Sequence, residues 1–334
     1  MNTSDQNSEG QTVLRNGSVE ESYPLSPLQH GMLFHSLYEQ VSGVDIEQIV
    51  CTVTEELDCD KLRQAWQRVV SRHAILRTAF VWEGLPEPAQ EIHRKVQFPF
   101  EEHDWRELSM EKQQKRLNRH LRDDRRTGFD LTQAPLLRVA VYRTATAGFW
   151  LLWTFHHAIL DGRSYRLVIR EVFEVYEALL DGRDPDLKQS RPYRDYIDWS
   201  LSRDLSRAES FWLEQLDDFT RPTPLTVDRQ AAKNEDRESG HAQFEIKLGA
   251  AVTSRLSELA LANELTLNTV VQCAWAILLS LYSSEEDVVF GTTRACRHSD
   301  LEGLESMLGL FINTIPMRVR VDCSHSVTDL LRTI

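Results

Sequence analysis

A chain of 334 residues is longer than one ordinary hydrophobic core accommodates, which points to two lobes of roughly 100–200 residues each. Hydrophobic residues make up 41% and charged residues 27%, a composition that builds packed cores and excludes a chain disordered throughout. With 38 Lys plus Arg against 51 Asp plus Glu, the net charge of −13 argues against nucleic acid or an anionic membrane as partner.

Residues 1–20 are polar, with no basic start leading into an apolar run, and read as a disordered leader rather than a secretory signal. The longest apolar stretches, residues 149–155 and 273–281, fall short of the ~20 residues that a membrane-spanning helix needs. Cys51, Cys59, Cys273, Cys296 and Cys323 are odd in number and scattered, and none forms a Cys-x-x-Cys pair. Neither a disulfide framework nor a metal site is indicated, and a reducing cytoplasm fits.

Residues 45–53 have strand character, and Asp58 or Asp60 then caps a helix carrying Leu62, Trp66, Val69 and Val70 at helical spacing. A strand from Arg77 ends at the turn marked by Gly84, Pro86 and Pro88, and residues 91–100 are placed to pair back on it. The charged stretch 110–126 reads as an exposed helix. Residues 136–143 and 149–155 read as a hairpin of buried strands, and Leu167, Val168, Val172, Val175, Tyr176, Leu179 and Leu180 line one helical face. Residues 181–195 and 218–242 are rich in charge and Pro, and the change of lobe is placed between them. Beyond come a strand (243–248), a helix (250–263), an apolar helix (267–282), a strand (287–292) and a last strand near 311–321. Mixed elements throughout indicate an α/β class.

The chemistry concentrates in Phe155-His-His-Ala-Ile-Leu-Asp-Gly162. Adjacent strand residues point to opposite faces, so His156 and His157 have different surroundings and different jobs. Gly162 permits a tight turn, and the helix start behind it offers N–H groups that stabilise developing negative charge. Taken alone, a histidine pair at a strand end is more often structural than catalytic, and Asp161 alone would be a helix cap. The spacing fits no familiar set of metal ligands. There is no Gly-x-Ser-x-Gly elbow, phosphate-binding glycine loop or dinucleotide fingerprint either.

The company this segment keeps is more specific. His-His-x-x-x-Asp-Gly resembles the signature of the condensation domains of nonribosomal peptide synthetases, relatives of chloramphenicol acetyltransferase. Further segments resemble that family's pattern in the right order: Tyr23 to His35, Arg72 to Thr78 with Phe80, Phe129 to Leu131 with Pro135 to Arg138, Tyr193 to Trp199, and Gly309 to Thr314. The resemblance runs from about Tyr23 to Ile334 and implies two chloramphenicol acetyltransferase-like lobes, each a mixed sheet with flanking helices. It places the first lobe at 21–190 and a linker with a partial second lobe at 191–334, the second incomplete because the chain stops soon after the Asn313 motif.

The same resemblance implies amide-bond formation between thioesters carried by peptidyl or acyl carrier proteins, beside adjacent synthetase domains. No cofactor is bound permanently; the phosphopantetheine arm comes with the carriers. His157 is the implied catalytic residue and His156 its support, with Asp161 and Gly162 at the elbow. Arg77 and Arg297 are the candidate partners of Asp161, and Asn313 is a candidate lining residue. The alternatives are a related epimerisation domain, whose motif usually continues with Ser-Trp where this chain has Arg163-Ser164-Tyr165, another acyltransferase of the superfamily, or an inactive fragment that only docks carriers.

Overall fold

The computed structural model describes residues 18–38, 43–144, 148–225, 244–297, 300–322 and 324–334. The described residues form two compact units: one contains residues up to Leu201 together with Arg297–Phe311, the other Ser202–Cys296 together with Ile312–Ile334. The leader assigned to residues 1–20 falls on 1–17, outside the described residues, and on the start of the first strand.

In the first unit the order is β1 (Val19–Pro24), α1 (Pro27–Tyr38), β2 (Ile46–Val53), α2 (Cys59–Arg72), β3 (Thr78–Val81), β4 (Ala89–His93), β5 (Phe100–Asp104) and α3 (Met110–Thr127). There follow β6 (Leu137–Thr144), β7 (Gly148–His156), α4 (Ser164–Leu180) and α5 (Tyr193–Leu201). One sheet runs β1-β4-β3, and a second, mixed sheet runs β2-β7-β6-β5, with only β5 and β6 parallel. Residues 91–100 therefore do not make one returning strand. Residues 89–93 pair with β3, whereas β5 starts afresh at Phe100 and joins β6.

The mixed sheet has a helix layer on each face, as the period-2 alternation of its strands requires. Asp58 caps α2 by accepting the Lys61 N–H at 3.0 Å, and the stripe Leu62, Ala65, Trp66, Val69 and Val70 is fully buried. Burying each of its larger side chains contributes about 1.5–3 kcal/mol. Trp66 meets Trp153 of β7 at 5.0 Å between ring centroids, and α2 also packs on α4. On the opposite face Leu117 of α3 packs with Trp105, Ala140, Tyr142 and Leu152. Asp124 ties α3 to that face, accepting from Arg138 Nε at 2.6 Å, Gln48 Nε2 at 2.7 Å and Thr154 Oγ1 at 2.7 Å. Burial pushes its carboxyl up, yet the bonds from Arg138, Thr154 and Gln48 outweigh it and hold the group below the usual range.

The second unit holds α6 (Ser206–Leu216), α7 (Ala250–Ala262), α8 (Leu267–Ser283), β8 (Asp287–Ala295), β9 (Ile312–Arg320) and α9 (Val327–Thr333). Strands β8 and β9 pair antiparallel, and Val288 and Val319 pack with Cys273, Ala276 and Leu279 of α8 and with Leu330 and Leu331 of α9. The strand assigned to 243–248 does not form over its described part. Phe244, Ile246 and Leu248 alternate as strand residues do, but they are exposed and have no ladder partner among the described residues. Among the described residues no single helix is long and apolar enough to cross a membrane.

The chain leaves the first unit after Leu201, between the two segments rich in charge and Pro but beyond the bound set at residue 190. Helix α5 stays with the first unit because Tyr193 and Ile197 are buried there, with Tyr193 edge-on to Phe311 at 5.3 Å. Residues 297–311 return to the same unit.

Candidate active site

Strand β7 ends at His156, and a short 3-10 turn, His157–Ile159, leads through Asp161 and Gly162 into α4. His156 occupies the same face as Leu152 and Thr154 and is buried, 3% exposed. Its Nδ1 accepts the Ala158 N–H at 3.2 Å. That bond leaves the ring proton on Nε2, which donates to Ser36 Oγ of α1 at 3.4 Å. Burial, with the neighbouring His157, pushes the His156 pKa down to about 4, so this ring is neutral at physiological pH.

His157 is half-buried. Its backbone N–H donates to the Asp45 carbonyl at 2.7 Å, which fixes the turn against the start of β2. Its Nδ1 is shut off from solvent without a hydrogen-bond partner, so Nε2 is the ring nitrogen that a reactant meets.

Asp161 is 1% exposed and both of its oxygens are committed. Oδ1 accepts from the N–H groups of Arg163 at 3.1 Å and Ser164 at 2.7 Å, and Oδ2 from that of Phe311 at 3.1 Å. Arg297 Nη2 donates to Oδ1 at 3.1 Å and Oδ2 at 3.3 Å. The Arg297 guanidinium is itself buried, lies over the Phe311 ring at 4.1 Å, and donates through Nη1 to the carbonyls of Leu304 at 2.8 Å and Met307 at 3.0 Å. Ser164 Oγ completes the node, accepting from Arg297 Nη2 at 2.6 Å and Gly309 N at 3.0 Å while donating to the Gly309 carbonyl at 2.7 Å. At Gly309 an added Cβ would lie 2.1 Å from the Tyr193 ring, so no side chain fits there.

Of the two arginines considered for Asp161, Arg297 pairs with it. Arg77 is engaged elsewhere: its Nη1 binds Glu20 at 2.8 Å and also the His93 carbonyl. Gly162 is exposed, and a Cβ there would meet only the Tyr165 ring, at an ordinary contact distance of 4.0 Å. The N–H groups of Arg163, Ser164 and Tyr165 all bond to Asp161, so the start of α4 does not present those donors to an oxyanion. Asn313 belongs to the second unit, on β9 opposite Arg294. Ser36, Asp45 and Ser164 were missed as supports of the elbow. For Asp45 no spacing in the sequence signals a contact made through its backbone carbonyl.

A cavity of about 330 Å³ opens at the C-terminal end of α3, lined by Ser36, Asp45, Trp82, Arg125, Arg126 and His156 among others. It lies on the His156 side of the histidine pair, and His157 does not line it.

Residues 19–334 match the family model described as Condensation domain. The chain belongs to the condensation-domain family. A linear gramicidin synthase of Brevibacillus parabrevis is 44% identical over 318 residues, a match that covers 95% of this chain and 4% of that protein. Bacitracin synthase 3 of Bacillus licheniformis is 34% identical over 321 residues, covering 95% and 5%. The chain thus spans a small part of the length of these synthetase relatives. Among solved structures, the first condensation domain of the CDA synthetase superposes with a TM-score of 0.74 at 19% identity, over 94% of this chain and 73% of that one. The epimerization domain from the third module of tyrocidine synthetase B superposes at 0.79 with 20% identity, over 96% and 71%. This is the chloramphenicol acetyltransferase-like fold of condensation domains, and the His-His-x-x-x-Asp-Gly segment forms its strand-to-helix elbow here.

Proposed function

We propose that this condensation domain joins a donor aminoacyl or peptidyl thioester to an acceptor aminoacyl thioester, each delivered on the phosphopantetheine arm of a carrier protein. The observation that carries the reading is His157. Its Nδ1 is buried without a hydrogen-bond partner, which leaves Nε2 as the nitrogen that can meet a reactant, and its elbow is clamped by the buried Asp161–Arg297 pair.

In this reading the acceptor amine attacks the thioester carbonyl carbon, and a C–N bond forms as the carbonyl electron pair moves to oxygen. His157, in its neutral form, takes the proton released from the adduct nitrogen through Nε2. Collapse of the adduct breaks the C–S bond, and the imidazolium returns the proton to the departing thiolate. No covalent enzyme intermediate is needed. Asp161 and Arg297 act as positioning residues, His156 holds the back of the elbow, and Gly162 gives the turn its exposed, side-chain-free corner. Arg77 and Asn313 receive no role at the reacting atoms. Adjacent synthetase domains supply the carriers, and the free thiols of Cys51, Cys59, Cys273 and Cys296 suit a reducing cytoplasm.

The test is amide formation from a loaded donor carrier and a loaded acceptor carrier, followed by mass spectrometry beside a His157→Ala control. Product from the parent and none from the variant supports the reading. If the donor carrier alone instead takes up deuterium at its α-carbon from heavy water, and does so only with His157 present, the chemistry is epimerisation.

A further inference from the structure

Helix α3 begins at the Ser109 cap and ends at Gly128, and it fully buries only Gln113 and Leu117. On its outer side Lys112, Lys115, Arg119, Arg122 and Arg126 are exposed. Their spacing of three and four residues puts them in one row along the helix, about 21 Å from end to end. Among the described residues the side chains of Lys112, Arg119, Arg122 and Arg126 have no ion-pair or hydrogen-bond partner. Lys115 meets only Glu111 of its own helix at 2.9 Å, with both side chains 78% exposed, a pair worth little in water.

Such a row runs against the rest of the chain. The net charge is −13, and carboxylates engage arginines throughout: Arg106 with Asp104, Arg138 with Asp124, Arg191 with Asp195, Arg194 with Glu21. Nucleic acid is disfavoured because the whole-chain field opposes a polyanion. A membrane surface is disfavoured because the apolar side of α3 is spent on the sheet, where Leu117 packs under Trp105, which leaves nothing to insert beside the cations. Carboxylates spaced three and four residues apart on a second helix match the row in both sign and period.

We propose that the basic row of α3 is a docking surface for an acidic helix of a partner protein. Resting on the amide-forming reading above, that partner is the carrier domain that brings the thioester. Charge pairs at such a rim set encounter rate and salt dependence more than they set shape.

The experiment measures binding of a fluorescein-labelled, phosphopantetheine-loaded peptide-synthetase carrier domain by anisotropy over a range of salt. The proteins are the parent chain, the Arg119→Glu/Arg122→Glu variant, and Arg68→Glu as a charge-change control at an exposed position of α2. All three are checked for equal thermal unfolding. Expected are about tenfold weaker binding and a flatter salt dependence for the row variant alone, with turnover of small carrier-free thioesters unchanged. Binding of the row variant within twofold of the parent overturns the proposal, as does a parent that binds anionic vesicles or heparin but no carrier. Binding is read without turnover, so failure of the amide-forming reading shows separately, as a parent that docks carriers yet makes no product from any thioester.

Discussion

Replacing Asp161 by Asn tests the elbow most directly, because the substitution keeps shape and removes charge. The carboxylate accepts from the N–H groups of Arg163, Ser164 and Phe311 and from Arg297 Nη2. An amide retains one acceptor oxygen and turns an NH2 toward groups that are themselves donors. It leaves the buried Arg297 guanidinium uncompensated, for which breaking a buried pair costs about 3–5 kcal/mol, a figure that already includes the orphaned donor. Taking about 4 kcal/mol, and about 2–4 °C per kcal/mol for a domain near the size of the first unit, the melting temperature falls by roughly 8–16 °C. Calorimetry and urea unfolding of Asp161→Asn, Arg297→Met and the double variant supply the cycle. A coupling of at least about 2 kcal/mol is expected, insensitive to salt because the pair is 3% and 1% exposed. An Asp161→Asn protein that melts within about 2 °C of the parent, or a coupling near zero, would refute the clamp even if that variant were inactive.

His157→Ala removes a half-buried ring that supports nothing else through its side chain, so amide formation is expected to vanish while the unfolding midpoint moves by only a few degrees; a large drop in stability would make the activity loss uninformative and point to a structural residue. His156 gives a pH signature. Its folded pKa of about 4 lies below the ordinary 6.5, so the unfolded chain binds the extra proton and stability falls as pH drops from 6.5 toward 4, by roughly 3 kcal/mol in all. Urea midpoints across that range should lose this slope in His156→Asn, whose Oδ1 is able to accept the Ala158 N–H; an unchanged slope assigns the titration elsewhere. Gly309→Ala drives a Cβ to 2.1 Å from the buried Tyr193 ring, and a loss of more than about 2 kcal/mol is expected by denaturant titration. A variant as stable as the parent would mean the ring has room to move.

What the sequence made legible was local. The elbow could be placed because a buried strand, a polar corner and a helix follow one another within residues 149–180, each with its own periodicity. Which arginine neutralises Asp161 was not legible. Arg77 and Arg297 are both buried, and only the tertiary path brings Arg297, 136 residues away, to the carboxylate while Arg77 turns to Glu20. The vacant N–H groups anticipated at the start of α4 were a similar miss, since the motif's own aspartate takes them. Phe244, Ile246 and Leu248 show the converse error: alternation reports which side chains share a face, and a strand exists only where a neighbour completes the ladder. The parallel pairing of β5 with β6 likewise depends on a connection through α3, which no short-range pattern encodes.

The return of residues 297–311 to the first unit has a consequence for how this protein is born. Everything in the elbow up to Ser164 leaves the ribosome early, but the cation that neutralises Asp161 emerges 136 residues later. At about 5–20 residues per second that interval is roughly 7–27 s. Through it the nascent first unit carries an acidic corner without its counter-ion, and Gly309 and Phe311 follow later still. The clamp is therefore a late event in synthesis. A pause or a cut between Leu201 and Arg297 would release a first unit with its sheets made and its reactive corner unfinished.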